Sequence, residues 1–262
     1  MLAAGSWGIV TAVRMSDRVG KGLRESPRDA LLADSITAAD RGRSFGLRQA
    51  MDTTGAVLGL ILSAVIIYLV EGNATRITLS SYRWLIAGGI VPAVLAVVVL
   101  VIFVRESRHP SADGKQGESS SRRNTPFDFR FKIFLAILAV FTLGNFSGFF
   151  VILRAQHLDI PLIQVLGMLI SFNIMYALTA WPSGILSDRV GRKRLIILGW
   201  TVYAVIYLGF ALATSVWETW VLFAGFGIYN GAFHGVAKAF VADLVPAERR
   251  GTAYGLYNGV MS

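Results

Sequence analysis

The sequence contains no cysteine among its 262 residues, and only 16% of its residues are charged. Without cysteine there is no disulfide framework, no thiolate zinc site and no cysteine nucleophile. Soluble domains carry about a quarter charged residues, so the small share of charge indicates a lipid environment. The three histidines, His109, His157 and His234, are too dispersed along the sequence to suggest a catalytic metal site.

Further absences narrow the function. No basic leader or small-residue cleavage pattern follows Met1, so we predict no cleavable signal peptide. The stretch Val19-Gly-Lys-Gly lacks the spacing and the Ser/Thr of a phosphate-binding loop, so ATP-driven transport has no support. No nucleophile–base pair or cluster of acids and histidines is evident at one depth. We therefore expect neither an enzyme nor a cofactor nor a bound metal.

Long apolar runs dominate what is present. A membrane-spanning helix needs roughly 20 apolar residues, since the bilayer core offers no partner to an exposed backbone. The sequence predicts an all-α polytopic membrane protein. A further span, Thr53–Val70, becomes long enough if it extends back toward Phe45, a charge-rich one runs from Trp7 to Asp34, and another begins near the last residues. The uninterrupted runs are Trp84–Val104, Ile133–Leu153, Ile160–Leu186, Leu195–Trp217 and Thr219–Ala237.

The basic residues between the spans predict the orientation. Alternate connections hold only Arg76, Arg83 and Arg154, which is the pattern of loops outside the cytoplasm. We predict a multi-pass protein of the cell inner (cytoplasmic) membrane, and the net charge of +9 indicates contact with membrane lipids rather than nucleic acid. The connections on the predicted cytoplasmic side carry Arg41, Arg43, Arg105, Arg108, Lys115, Arg122, Arg123, Arg130, Lys132, Arg189, Arg192, Lys193, Arg194, Arg249 and Arg250.

An internal repeat relates two distant spans. The segment Asp29–Leu47 matches Lys238–Leu256 without a gap, at a constant offset of 209 residues. Two spans six helices apart are therefore related and have the same orientation, which is the organisation of one major transporter architecture. The identities include Ala33/Ala242, Asp34/Asp243, Arg41/Arg250, Gly42/Gly251, Gly46/Gly255 and Leu47/Leu256.

Three motifs resemble the major facilitator superfamily. The stretch Gly184-Ile-Leu-Ser-Asp-Arg-Val-Gly-Arg-Lys-Arg194 resembles the signature loop between the second and third helices of each half. The repeated Ala-Asp-x-x-x-x-x-x-Arg-Gly segments resemble the ends of the fourth and tenth helices. The stretch Asp17-Arg-Val-Gly-Lys-Gly-Leu-Arg-x-x-Pro-Arg-Asp-Ala-Leu31 resembles a bacterial subgroup.

The resemblance implies a partial major facilitator fold. Two pseudo-symmetric helical bundles would be joined by a cytoplasmic linker, and the chain would run from about the fourth to the start of the eleventh helix. It would then be a fragment that lacks the first three helices and the last. We expect about three spans in 1–104, the linker at 105–126, and four spans plus the start of a fifth in 127–262.

The signature loop has a physical reading of its own. Gly184 lets neighbouring helices approach closely, and Gly191 permits a tight turn. Asp188 ends a helix where it can meet the N-terminus of a neighbour, whose partial positive charge favours a carboxylate. The resemblance implies that Asp188 belongs to a cytoplasmic gate, together with Gly184, Arg189, Gly191 and Arg192. The alternative for the basic residues Arg192, Lys193 and Arg194 is a simple topology anchor. The repeat supplies the loop ends Asp34, Arg41, Gly42, Asp243, Arg250 and Gly251.

The charged first span predicts a polar cavity wall. A charge at the bilayer centre costs roughly 2.5–3.5 kcal/mol, so the charged row must face water or pair internally. One hypothesis is that Arg14, Lys21 and Arg24, with Glu25 beside them, bind an anionic substrate group. The alternative is that the acids of this span neutralise its cations.

Polar residues of later spans are further candidates. Asn230, His234 and Lys238 share one helical face, and His234 could carry a coupling proton or be a buried, hydrogen-bonded histidine. Lys238 could instead be a lysine that snorkels to the cytoplasm. Asn145 could line the cavity or bond another helix, and for Asn173 we favour an interhelical hydrogen bond. Arg48 and Asp52 are spaced for an ion pair.

Together these features predict a secondary active transporter of a small solute that works by alternating access. Its partners would be membrane lipids, a small-molecule substrate and a coupling proton or ion, and a small organic anion is the leading substrate class. The alternatives are a multidrug-type efflux permease and a truncated, non-transporting membrane protein of the same fold. The fifth-helix segment Gly55-Ala-Val-Leu-Gly59-Leu lacks the proline that the resemblance implies for proton antiporters, and Gly148 and His234 are not acidic. Both differences argue against a proton-driven exporter.

Overall fold

The structure is a computed structural model, and it describes residues 7–71, 79–103, 126–144 and 162–261. Throughout these residues the regular secondary structure is helical, which confirms the predicted fold class. Short 3₁₀ turns, Ala38–Asp40 and Ala247–Arg249, precede two of the helices. The helices are α1 (Trp7–Asp34), α2 (Arg41–Glu71), α3 (Leu79–Phe103), α4 (Phe129–Gly144), α5 (Leu162–Val190), α6 (Arg192–Leu212), α7 (Val216–Leu244) and α8 (Arg250–Met261).

The helices present apolar side chains to their surroundings. Leu58, Leu69 and Leu95 are examples of large apolar side chains that are more than half exposed. Three helical segments are long and apolar enough to cross a membrane, namely Ala38–Leu69, Gln164–Val190 and Arg192–Leu212. A helix that is apolar on its outer side as well as its inner side is suited to lipid.

One helix boundary differs from the sequence prediction. The apolar run Leu195–Trp217 suggests a single span, but α6 ends at Leu212 and α7 begins at Val216. Ser215 caps α7: its hydroxyl accepts from the Glu218 amide, and the Glu218 carboxylate accepts from the Ser215 amide in return. This reciprocal cap ends the run because it fixes a helix start that hydropathy does not register.

An aromatic core lies among α4, α6 and α7. Phe141 of α4 stacks on Trp200 of α6, with ring centroids 4.9 Å apart. Tyr203 of α6 packs against Tyr229 of α7, and Phe233 of α7 is fully buried. Aromatic pairs at these separations stabilise a helix interface beyond simple area burial. This core fixes the position of α7, which carries several candidate site residues.

Two groups of helices meet in the structure. We call α1–α3 the amino-terminal group and α4–α8 the carboxy-terminal group, after the predicted division of the chain. The predicted linker, 105–126, lies outside the described residues except for its last residue. Between the groups, α2 packs on α5 and α7, and α1 packs on α8. These contacts lie toward the ends with Arg41–Arg43, Arg189–Arg194 and Arg249–Arg250, which we call the basic end.

Candidate functional site

The contact between the groups at the basic end is built on glycine. A Cβ atom on Gly42 of α2 would lie 2.5 Å from the Gly184 carbonyl oxygen of α5, and one on Gly184 would lie 2.2 Å from the Gly42 carbonyl oxygen. Gly46 of α2 is equally close to the Ala180 carbonyl oxygen. The two backbones therefore touch, as expected for Gly184 from the sequence.

Asp188 lies at the N-terminus of α2. Its carboxylate accepts hydrogen bonds from the backbone amides of Gly42 at 2.9 Å and of Arg43 at 2.8 Å. The first amides of a helix have no partner within the helix, and the helix dipole adds partial positive charge there. Asp188 thus meets a neighbouring helix N-terminus, as expected. Gly191 follows in a left-handed conformation, with φ of 102°, and makes the tight turn into α6.

Two ion pairs cross between the groups in a reciprocal arrangement. Arg41, at the start of α2, donates to Asp243 at the end of α7 at 2.9 Å. Arg250, at the start of α8, donates to Asp34 at the end of α1. Arg41 and Arg250 are equivalent in the repeat, as are Asp34 and Asp243. The repeat therefore makes the same contact twice, once in each direction. We call these two pairs the crossed pairs.

The crossed pairs also include backbone contacts. The Arg41 guanidinium donates to the Ala242 carbonyl oxygen at 3.2 Å, and the Arg250 guanidinium donates to the Ala33 carbonyl oxygen at 3.4 Å. Ala33 and Ala242 are again equivalent in the repeat. Each arginine therefore satisfies a carbonyl at the end of the opposite helix, where such groups lack partners within the helix.

Arg192 joins this network on one side only. Its guanidinium pairs with Asp188 at 2.9 Å and also with Asp243. It further donates to the Ala38 carbonyl oxygen at 2.7 Å, which ties the signature loop to the α1–α2 turn. Asp243 therefore receives two guanidinium groups, whereas in the described residues the contact of Asp34 is with Arg250. The basic residue Arg192 thus does more than anchor topology.

A second set of charges lies deeper, where α1, α2 and α7 meet. Lys238 of α7 pairs with Asp29 of α1 at 2.7 Å, and its ammonium lies 4.0 Å from the Glu25 carboxylate. Arg48 of α2 pairs with the same Asp29. Asp29 is 0% exposed, so these two cations compensate a fully buried carboxylate.

The deeper charges form a chain of alternating sign. Beyond Arg48 lies Asp52 at 3.4 Å, and beyond Asp52 lies Arg28 at 4.0 Å. The Arg48–Asp52 pair confirms the spacing noted in the sequence. We call this set, which holds three acids and three bases, the charge chain: Glu25, Lys238, Asp29, Arg48, Asp52 and Arg28.

At the centre of the charge chain, two residues that are equivalent in the repeat contact each other. Asp29 and Lys238 are separated by the offset of 209 residues, so they are equivalent positions in direct contact. Phe45 and Tyr254, a second equivalent pair, pack with ring centroids 6.0 Å apart. Equivalent residues can touch only near a pseudo-two-fold axis. The axis therefore runs between α1 and α7 at Asp29 and between α2 and α8 at Phe45.

Asn230 and His234, on the polar face of α7, form hydrogen bonds within their own helix. The Asn230 amide donates to the Phe226 carbonyl oxygen, and its side-chain oxygen lies 3.0 Å from His234 Nε2. Tyr176 of α5 stacks on the His234 ring. These contacts agree with the hydrogen-bonded alternative for His234. Asn230 is buried and His234 is half-buried.

The structure decides between the two alternatives for Lys238 and corrects the expectation for Asn173. Lys238 does not snorkel to the cytoplasm: it is 8% exposed and pairs with Asp29, because a compensated buried carboxylate attracts the ammonium. The Asn173 amide donates to the Leu169 carbonyl oxygen one turn earlier, and among the described residues no hydrogen bond joins Asn173 to another helix. Neither outcome could be predicted, because the sequence alone does not reveal which helix lies opposite a given residue.

The other predicted site residues are exposed or lie outside the described residues. Arg24 of α1 is exposed, as are Arg189 at the end of α5 and Gly251 at the start of α8. Arg14 and Lys21 fall in α1, but their side chains lie outside the described residues. Asn145 also lies outside the described residues.

A glycine stripe on α7 escaped the sequence analysis. A Cβ atom on Gly227 would lie 2.2 Å from the Phe172 carbonyl oxygen of α5, one on Gly231 would lie 2.6 Å from the Tyr176 carbonyl oxygen, and one on Gly235 would lie 3.1 Å from Gly46 of α2. The four-residue spacing of small residues was the available signal. The stripe brings α2 and α5 against the same side of α7.

Comparison with known proteins gives a consistent result. The family model described as Major Facilitator Superfamily matches residues 1–262. An uncharacterized MFS-type transporter of Methanocaldococcus jannaschii is 36% identical over 98% of this chain and 63% of its own length. This chain thus spans less than two thirds of that relative.

Other relatives match shorter stretches. The multidrug resistance protein MdtG of Dickeya zeae is 28% identical over 50% of this chain and 34% of its own length. A Na(+), Li(+), K(+)/H(+) antiporter of Planococcus maritimus is 28% identical over 35% of this chain and 23% of its own length. No solved structure matches the chain.

Proposed function

Because the chain belongs to the Major Facilitator Superfamily, we propose that it works as a secondary active transporter that moves a small solute across the membrane by alternating access. The observation that supports this most is the pair of reciprocal crossed pairs, Arg41–Asp243 and Arg250–Asp34. They join two helix groups related by a repeat, which are the two bodies that such a mechanism moves. The contact in this structure is then the state closed at the basic end, which faces the cytoplasm.

The chemistry of the contact suits an interface that opens and closes. The acids of the crossed pairs are partly exposed, with Asp243 33% and Asp34 44% exposed, so water can replace their partners at modest cost. Glycine backbones pack closely without interlocking side chains, which lets α2 leave α5 without repacking a core. The aromatic core among α4, α6 and α7 lies within the carboxy-terminal group, so that group keeps its core when the two groups separate.

We place substrate binding between the two groups, at the midplane site that an alternating-access mechanism uses. The charge chain balances itself, so an anion site there depends on Arg14, Lys21 and Arg24 rather than on Arg28 or Lys238. We retain a small organic anion as the proposed substrate class. The half-buried aromatic residues Phe172, Tyr176 and Phe226 favour an amphipathic drug as the second candidate, as does the relative named as a multidrug resistance protein.

Counterflow in proteoliposomes tests the transport proposal. The protein is expressed from the complete reading frame that contains these residues and is reconstituted with a panel of labelled organic anions and amphipathic cations. Exchange of at least one class is expected, and Arg41→Asp or Asp243→Arg alone should reduce it about tenfold. The double variant should restore part of it, because the crossed pair is rebuilt with reversed sign while Arg192 still faces position 243. Arg194→Gln, at an exposed residue of the basic end, is the matched control.

The same assay separates the substrate classes. Loss of anion exchange in Arg14→Ala, Lys21→Ala or Arg24→Ala supports the anion proposal, and unaffected exchange removes it. Exchange of amphipathic cations alone would favour the drug-export alternative. No exchange of any solute, in protein that is folded and correctly inserted, would favour a non-transporting membrane protein of this fold.

A further inference from the structure

The hydroxyl of Tyr257 on α8 has no hydrogen-bond partner among the residues that the structure describes, although the side chain is only 1% exposed. A buried hydroxyl without a partner costs free energy, so nearly all such groups in native proteins are paired. We propose that this hydroxyl donates a hydrogen bond to a carboxylate oxygen of the transported solute when the basic end is open. The inference rests on the transport function proposed above and adds a residue to its substrate site.

Tyr257 lies at the contact between the two helix groups. Helix α8 packs on α1, and the next residue, Asn258, donates to the Ser26 hydroxyl of α1 at 3.3 Å. The Tyr257 hydroxyl is within electrostatic range of the Asp29 carboxylate of α1 and of the Tyr176 phenol of α5. Opening of the basic end separates α8 from α1. The hydroxyl is then accessible from the cleft between the groups.

The polar residues beside Tyr257 on α8 do have partners. Tyr254, one turn earlier, donates to the Lys238 carbonyl oxygen at 2.9 Å, and Asn258 donates to Ser26. The other buried side-chain atoms without a partner in the described residues belong to arginines that form ion pairs through their remaining nitrogens, or to the aromatic core of the carboxy-terminal group. These atoms are Nε of Arg28, Arg41, Arg192 and Arg250, and Nε1 of Trp200.

The repeat shows how the amino-terminal group uses the same position. At the offset of 209 residues Tyr257 is equivalent to Arg48, which directly follows the matched segment. Arg48 pairs with Asp29 and Asp52, both of its own group. The amino-terminal group thus uses this position for internal ion pairs. In the carboxy-terminal group the position holds a neutral donor that no described residue engages, so it is available to a solute between the groups.

A phenol is suited to a carboxylate that binds and leaves. It is a neutral O–H donor near pH 7, and its bond to an ionised oxygen is shorter and stronger than one between neutral groups. Because the donor carries no charge, closing the basic end after the solute has left buries no additional ion. The half-buried rings of Phe172 and Tyr176 offer an apolar wall to the rest of the solute.

The candidate cations of the anion site lie on the helix from which α8 separates. Lys21 and Arg24 precede Ser26 by five and two residues in α1. These positions are within about 8 Å of Ser26 along the helix axis. A small carboxylate-bearing solute between α1 and α8 can therefore reach from Tyr257 to this part of α1.

A matched pair of substitutions tests the missing partner without any solute. Tyr257→Phe and Tyr254→Phe each remove one hydroxyl from the same helix, and both are made in the complete reading frame that contains these residues. Tyr257→Phe should unfold at the wild-type temperature or up to about two degrees above it, because no hydrogen bond is lost. Tyr254→Phe should unfold about two to four degrees lower, because its bond to the Lys238 carbonyl is lost.

Exchange in membrane vesicles of known sidedness tests the contact itself. The probes are succinate and phthalate, which carry carboxylates, and tetraphenylphosphonium, which has no hydrogen-bonding group. In inverted vesicles, which present the cytoplasmic face, Tyr257→Phe should raise the half-saturating concentration of the transported dicarboxylate about tenfold, with the maximal rate within about twofold of wild type. From the opposite face the change should be less than about twofold, because the hydroxyl is enclosed when the basic end is closed. Tyr254→Phe should change neither value by more than about twofold.

The possible failures are distinguishable. A loss of unfolding temperature in Tyr257→Phe as large as that in Tyr254→Phe would mean that the hydroxyl is paired in the closed state, which removes the basis of the proposal. An unchanged half-saturating concentration at the cytoplasmic face, or exchange of tetraphenylphosphonium alone, would contradict the contact and leave transport intact. Exchange of no solute by folded, correctly inserted wild-type protein would contradict the transport function, and the contact with it.

Discussion

The α1–α2 turn and the α7–α8 turn share one sequence pattern but not one environment. Each passes from a helix through a 3₁₀ turn into a helix that starts at an arginine, Arg41 in one and Arg250 in the other. In the α1–α2 turn, Gly42 packs directly against α5. A Cβ atom on its equivalent, Gly251, would meet nothing within 4 Å in the part of the chain that the structure describes.

The difference separates two roles of the repeat. The repeat dictates the backbone path and the crossed pairs, which occur in both turns. Contact with α5 occurs at Gly42, where Gly184 and Asp188 meet the α1–α2 turn, and among the described residues nothing equivalent meets Gly251. Substitutions at equivalent residues should therefore have unequal effects on the stability of the closed basic end. The size of the difference measures how much the contact with α5 stabilises that state.

The largest expected effect comes from the glycine contact. Gly42→Ala should destabilise the closed basic end by about 3 kcal/mol, because the new methyl group overlaps the Gly184 carbonyl and the Asp188 carboxylate. Gly251→Ala should be neutral or raise helix stability by up to about 1 kcal/mol. The fraction of closed protein, from spin labels on Ala39→Cys and Lys193→Cys, measures both. Equal effects of the two variants would mean that the α2–α5 contact is not part of the closed state.

Asp188→Asn should have the next largest effect. The asparagine keeps a hydrogen-bond acceptor for one α2 amide but loses the charge that faces the helix N-terminus and Arg192. We expect a loss of about 2 kcal/mol of closed-state stability. Arg189→Gln, the exposed neighbour, is the control and should change the closed fraction by less than twofold. An Asp188→Asn variant that closes as well as wild type would argue against the helix-terminus contact.

Substitutions of the two acids of the crossed pairs should also destabilise the closed state unequally, and the difference should be smaller than that between the two glycine variants. Asp243→Asn affects two guanidinium groups, those of Arg41 and Arg192, so we expect a loss of about 1–2 kcal/mol. Asp34→Asn affects the more exposed pair with Arg250, so we expect about 0.5–1 kcal/mol after solvent screening. Raising the salt concentration should reduce the Asp34 effect more than the Asp243 effect. The reverse order would show that the second guanidinium, that of Arg192, does not make Asp243 the more important acid.

The smallest expected effect concerns the last residue of each 3₁₀ turn. Arg249 lies over the Phe127 ring at 3.7 Å, whereas its repeat equivalent Asp40 accepts from the Thr37 hydroxyl. Arg249→Gln should lower the thermal unfolding temperature by one to three degrees, since a cation–π contact between half-buried side chains that water still reaches contributes about 0.5–1 kcal/mol. Phe127→Leu should have a similar effect, and the double variant should add little more. Additive losses would mean that the two residues act separately.

Much of this architecture could be predicted from local patterns. Apolar run lengths gave the helices, and Asp188 was expected at a neighbouring helix N-terminus because a carboxylate ending one helix suits the dipole of another. The repeat related Asp29 to Lys238 as equivalent positions. Contact between the two does not follow from that relation, since it also requires the position of the pseudo-two-fold axis.

What could not be predicted depends on the element opposite each residue. The sequence did not reveal that Arg28 of α1 faces Asp52 of α2, or that Lys238 of α7 faces Asp29 of α1. The predicted end of the span Leu195–Trp217 was wrong although Ser215 and Glu218 form a capping box, because the apolar residues on both sides masked the polar signal. Pairing across helices is a tertiary property, so neither periodicity nor hydropathy contains it.

The central claim is that the crossed pairs hold the two helix groups together in one of two states. Double electron–electron resonance between labels on Ala39→Cys and Lys193→Cys, in wild type, Arg41→Asp, Asp243→Arg and the double swap, tests it most directly. We predict two distances in wild type, a shift of at least fivefold toward the longer one in each single variant, and partial recovery of the shorter one in the swap, since Arg192 still faces position 243. One distance that is the same in all four proteins would contradict the account.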